Sequence, residues 1–81
     1  MQRWEYQTAF LVTSMAISKS HVWRLYKVNE QEQPGWRKTE PYVSVVDFCN
    51  QMGQQGWELA GVMNPGSSSF EVVLYFKRLR Q

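Results

Sequence analysis

Two carboxylates stand beside large aromatic residues in this chain. Glu5 sits in the phrase Trp4-Glu5-Tyr6 and Glu58 in Gly56-Trp57-Glu58-Leu59. Carboxyl groups held against rings and away from water gain proton affinity, which is what general acid–base work requires. No nucleophile, metal-ligand set or phosphate loop accompanies them. The plainer expectation is that each pairs across a sheet with Lys77 or Arg78 of the closing phrase Phe76-Lys77-Arg78.

Other candidate chemistry is weaker. His21 and Cys49 are a formal nucleophile–base pair. Yet Cys49 falls on an apolar helical face, where a thiol acts as a small hydrophobe, and His21 has no evident orienting partner. Two such residues cannot complete a four-ligand metal site, and a lone cysteine makes no internal disulfide. Pro65-Gly66-Ser67-Ser68-Ser69 lacks the lysine and following helix of a phosphate loop and reads as a turn. No catalytic residue, metal or cofactor is expected.

Trp23, Arg24, Tyr26, Lys27, Trp36, Arg37 and Lys38 interleave rings with cations, as single-strand nucleic-acid binders do. The final strand nevertheless lacks the glycine-containing aromatic phrase of a four-stranded RNA platform, and the net charge is only +2. Both points weigh against nucleic acid.

The elements that must position these residues follow from periodicity. Residues 3–13 alternate, with Trp4, Tyr6, Thr8, Phe10 and Val12 on one face and Arg3, Glu5, Gln7, Ala9 and Leu11 on the other. After a polar connection, residues 21–28 form a second strand, with Val22, Tyr26 and Val28 opposite Trp23 and Leu25. Pro34-Gly35 and Pro41 exclude a long regular element over residues 29–41. Ser44 then caps a helix, with Asp47 three residues on as a variant capping box. Val45, Phe48, Cys49 and Met52 form its apolar face, and Gly53 and Gly56 end it. Trp57, Leu59 and Met63 share one face of a third strand. In the last strand, residues 70–79, Phe70, Val72, Leu74 and Phe76 line one face and Val73, Tyr75 and Leu79 the other. A strand apolar on both faces belongs at the centre of a sheet and is covered twice.

Size limits the outcome to one domain over residues 1–81. Aromatics at 15%, including four tryptophans, supply dense packing or a subunit contact. No apolar run approaches the about 18 residues of a membrane span, and no signal-peptide core precedes the first strand. A cytoplasmic protein, bacterial in style, is the expectation.

Trp4-Glu5-Tyr6 on the first strand, a short helix ending in Gly-x-x-Gly-Trp-Glu-Leu over Cys49 to Leu59, and Phe76-Lys77-Arg78 at the end resemble the small bacterial domains grouped as domain of unknown function 4177. The resemblance covers about half the chain by pattern. Segment 13–41 departs from it by adding the Trp23 strand and Trp36. The resemblance implies a small α+β domain and brings no established activity.

The predicted fold is therefore α+β in the order β-β-α-β-β, a four-stranded antiparallel sheet with one helix on one face. One helix covers one face, so the other needs a partner, and a second copy of the chain is the simplest. The expected function is a non-catalytic assembly or interaction module that forms a homo-oligomer through the uncovered face, the sheet edge or both, with Trp23, Trp36, Val73 and Tyr75 as candidate subunit contacts. The alternative is a small-molecule site between sheet and helix or between subunits, lined by Tyr6, Trp57 and Tyr75 with Glu58 or Arg78 fixing polarity.

Overall fold

In the computed structural model, which describes residues 2–13, 22–64 and 71–80, one antiparallel sheet carries one helix. The strands are β1 (Trp4–Thr13), β2 (Trp23–Val28), β3 (Gln31–Glu32), β4 (Glu58–Met63) and β5 (Glu71–Leu79). The helix, α1 (Val45–Gln54), falls between β3 and β4. Their spatial order is β3-β2-β1-β5-β4. The α+β class holds, but the sheet has five strands rather than the expected four. His21, Phe70 and the Pro65–Ser69 turn lie outside the described residues.

The fifth strand comes from a hairpin. Val28 pairs with Gln31, so only Asn29 and Glu30 turn the chain, at φ 51° and 68°. Positive φ at both central residues is the primed turn whose twist matches its strands. Asn29 tolerates it; Glu30 occupies a position that glycine prefers. A 3-10 turn follows at Trp36–Lys38, and Tyr42 bridges Trp23 through paired backbone hydrogen bonds of 2.9 and 2.7 Å.

The helix begins and ends by local chemistry. The Ser44 hydroxyl accepts from the Asp47 N–H at 3.0 Å, while the Asp47 carboxylate accepts from Gln51. At the other end the Gly56 N–H donates to the Gly53 carbonyl and the Trp57 N–H to the Met52 carbonyl, at 3.0 and 3.1 Å. This is the Schellman pattern, with Gly56 at φ 88°. Gly53 thus lies inside the last turn, and Gly56 makes the exit.

The core lies between α1 and one face of the sheet. Ala9 and Leu11 of β1 and Leu74 and Phe76 of β5 are buried beneath Phe48, Met52 and Trp57. Tyr42, Phe48 and Phe76 form a chain of edge-to-face rings, 4.9 and 5.9 Å between centroids. As its two-sided pattern predicts, β5 is an interior strand, between β1 and β4, but the helix covers only one of its faces.

Two bulges redirect the alternation. In β2, Leu25 faces Leu11 and Lys27 faces Phe10, so Tyr26 is the extra residue. Val28 consequently pairs with buried Ala9 and leaves the face that strict alternation gave it beside Tyr26. In β4, Leu59 faces Phe76 but Gly61 faces Tyr75, making Ala60 the extra residue. Met63 therefore faces Val73 on the side away from the helix instead of sharing a face with Leu59.

Candidate functional site

Antiparallel pairing of β1 and β5 brings the start of one strand to the end of the other. Trp4 faces Leu79, Glu5 faces Arg78 and Tyr6 faces Lys77, while Glu58 of β4 also faces Lys77. The Schellman exit delivers Trp57 to the same end. The three phrases that stand far apart in the chain thus converge.

On the helix side the Arg78 guanidinium organises this convergence. It forms an ion pair with Glu5, lies 4.2 Å from the Trp57 ring centroid, and donates to the Gln55 carbonyl at 3.3 Å. That carbonyl belongs to the helix C-terminus, where positive charge is favourable. Glu5 is therefore a structural partner of Arg78, the plainer of its two readings. Glu58 lies opposite Lys77 across the sheet, whose ammonium sits 4.6 Å from the Trp4 ring centroid.

The other sheet face is not covered by the helix; the 3-10 turn at Trp36–Lys38 packs over its β2 end and Val73 is buried, while the β1–β5–β4 part is the more exposed. Its residues are Trp4, Tyr6, Thr8, Phe10 and Val12 of β1 with Leu79, Lys77, Tyr75, Val73 and Glu71 opposite them. Tyr6 is 68% exposed, Leu79 50%, Met63 46% and Trp4 41%. Phe10 meets Tyr26 edge to face at 5.5 Å, and Tyr26 leans on Trp36 at 4.9 Å. Lys27 lies over both Tyr26 and Phe10, and Arg37 lies 5.1 Å over Trp36. The Tyr26 hydroxyl is held above its ordinary pKa of 10.0, first by hydrogen bonding to the Glu32 carboxylate. A shallow hollow of about 500 Å³ opens here between Phe10, Lys27, Met63, Val73 and Tyr75.

The residues expected to line one small-molecule pocket divide between the two faces. Trp57 and Arg78 stack on the helix side, whereas Tyr6, Glu58 and Tyr75 lie on the open side. The space between sheet and helix is filled by Phe48, Met52, Trp57 and Phe76. Glu58 and Arg78 do border a common concavity of about 790 Å³ at the convergent end. The candidate subunit contacts divide as well. Val73 and Tyr75 are on the open face and Trp36 stands at its rim, but Trp23 packs against the core.

Cys49 also packs against the core, and burial pushes its thiol above the ordinary value of 9.0. Among the described residues no cluster of His, Cys, Asp and Glu is built to hold a metal ion, and no helix is long and apolar enough to cross a membrane. Periodicity alone does not place Met63 on the open face; Gly61 inside the strand is the sequence mark of the bulge that does. In comparisons with known proteins, no family model, curated protein or solved structure matches the chain.

Proposed function

We propose that this chain is a non-catalytic assembly module that works as a homo-oligomer, joined through the open sheet face, the sheet edge or both. One observation carries the reading. Central strand β5 is apolar on both sides, and α1 covers only one of them. Exposed aromatic and methionine side chains on the other side form the kind of patch that marks an interaction surface. Both signs of charge line it, Lys27 and Lys77 with Glu58 and Glu71, which suits a like copy better than a polyanion. The commitment of Glu5 to Arg78 supports a structural part for the carboxylate that looked most like a catalytic one. Membership of the domain-of-unknown-function 4177 group and a cytoplasmic setting belong to the same proposal. The first rests on the convergent phrases and the second on the single cysteine.

Size exclusion with light scattering, at two protein and two salt concentrations, tests the reading. A mass of at least two chains is expected at tens of micromolar, and a strict monomer there ends it. The hollow beside Tyr75 supports a second reading, a small apolar ligand held on the open face with Lys27 at its rim. A thermal-shift screen separates the two. A ligand site gains stability with one chemical class, whereas an assembly gains it with its own concentration.

A further inference from the structure

Strand β1 outlasts its neighbour. β2 pairs with residues Ala9 to Thr13, and the chain then turns away at Asn29. The Asn29 side chain accepts from the Thr8 N–H at 2.9 Å and its own N–H donates to the Thr8 carbonyl at 3.0 Å, which closes the ladder at that residue. These two bonds fix the phase of the strand. Thr8 directs its backbone groups toward β2, while the Arg3 carbonyl accepts from Arg80 on the β5 side. Backbone groups alternate along a strand, so Trp4 and Tyr6 direct theirs the same way as Thr8. There no strand of the described residues meets them.

Among the described residues the other edges are blunted, that of β2 beyond β3 by the Tyr42 bridge at Trp23 and the Gln33 N–H on the Tyr26 carbonyl. β3 is only two residues long and ends in Glu32, and β4 is interrupted by its bulge at Ala60. Short or bulged edges discourage strand addition. The first half of β1 has neither protection, and its register against β5 is unbroken.

We propose that this free edge pairs with the same edge of a second copy, antiparallel about a two-fold axis at Trp4. The inference rests on the homo-oligomer proposed above and places its contact at the edge, which leaves the two open faces side by side rather than against each other. The two-fold register follows from charge. With Trp4 opposite the partner's Trp4, Arg3 lies opposite the partner's Glu5 and Tyr6 opposite the partner's Gln2. One residue along, Glu5 would face the partner's Glu5, and like charges directly opposite each other are unfavourable. The Trp4 register forms about six backbone hydrogen bonds, two for each pair that faces edge to edge. It also runs the Trp4 and Tyr6 rings of both copies into one continuous aromatic row on the open face.

The test uses the whole chain and two substitutions at one residue. Tyr6→Pro removes an N–H that points away from β5, and Tyr6→Thr removes the ring but keeps the N–H. Light scattering should give a dimer for the native chain and for Tyr6→Thr, and a monomer for Tyr6→Pro. A native monomer refutes the assembly reading itself. A Tyr6→Pro chain that stays dimeric refutes the edge alone and leaves the face as the contact. Should Tyr6→Pro fail to fold, cross-linking decides. Facing residues at such a pair have Cα atoms about 5.5 Å apart, within disulfide reach. With Cys49→Ala in the background, Trp4→Cys should form a covalent dimer about a hundredfold faster than Leu79→Cys, as millimolar local concentration exceeds micromolar bulk. Equal rates for the two overturn the edge contact.

Discussion

Replacing Arg78 by methionine separates the forces that hold the convergent end together. Methionine keeps the apolar stem but removes the ion pair with Glu5, the guanidinium over Trp57 and the bond to the Gln55 carbonyl. The Glu5 and Arg78 side chains are 37% and 38% exposed, so water screens the pair and it is worth only about 0.5 kcal/mol. The cation over an indole adds ~0.5–1 kcal/mol. A hydrogen bond as long as 3.3 Å falls at the low end of its class, about 0.5 kcal/mol. The loss is then about 1.5–2 kcal/mol, or ~6–16 °C in Tm for a domain of this size. Glu5→Gln should cost only about 0.5 kcal/mol, and Arg78→Lys falls between because an ammonium keeps the charge but not the planar stack. Urea denaturation of the three variants measures this order. One molar salt should close most of the Glu5→Gln gap, since the screening length falls to about 3 Å, and leave the Arg78→Lys gap in place. If Glu5→Gln costs as much as Arg78→Met, the ion pair dominates and the stacking argument is wrong. If neither moves the midpoint, the cluster is not structural and its charges belong to a ligand.

Ser44→Ala should lower stability by about 1 kcal/mol in thermal melts, through loss of the hydroxyl that accepts from Asp47. Glu30→Gly should raise it by about 0.5–1 kcal/mol, because glycine relieves the positive φ of the hairpin; a lower Tm would mean the turn is not strained there. Leu74→Ala removes a fully buried side chain of the central strand and should cost ~2–5 kcal/mol, measured by urea midpoint. At pH 8 the Cys49 thiol should react with an aromatic disulfide several-fold more slowly than after unfolding in urea, and equal rates would contradict its burial. The raised thiol pKa has a definite sign in stability. The folded chain keeps the proton longer than the unfolded chain, so this contribution is complete below pH 9.0 and is lost as pH rises through the higher folded value.

Features written in local chemistry were legible in the sequence. Ser44 and Asp47 announce the helix start, Val45, Phe48, Cys49 and Met52 its buried face, and Gly56 its exit. The two-sided pattern of residues 72–79 placed β5 in the sheet interior, and opposite charges at Glu5 and Arg78 anticipated their pairing. What periodicity could not carry was a change of period. A bulge adds one residue and exchanges the faces beyond it, so Val28 and Met63 were assigned to the wrong sides. The β2–β3 hairpin was missed because Asn29-Glu30 lacks the glycine that normally marks such a turn. The pocket residues failed to assemble for a related reason. Tyr6, Trp57, Glu58, Tyr75 and Arg78 are close along the sheet, but neighbours in a strand point to opposite faces.

The bulges that misled the sequence reading also shape the surface on which function depends. At Tyr26 the bulge keeps both an aromatic ring and Lys27 on the open side, where they meet Phe10. At Ala60 it sends Met63 to the same side, next to Tyr75. Strict alternation at these two points would have moved Met63 toward the helix and left β5 with a narrower apolar border. Bulged strands also twist more strongly and resist edge addition. The same irregularities therefore enlarge the open face and protect β4, while among the described residues a regular unpaired stretch of edge is left at Trp4 and Tyr6. Face and edge meet at those two residues, whose rings lie on the first and whose backbone groups lie along the second. A contact at that edge sets the two aromatic rows side by side on one continuous face without any change in the fold of either copy.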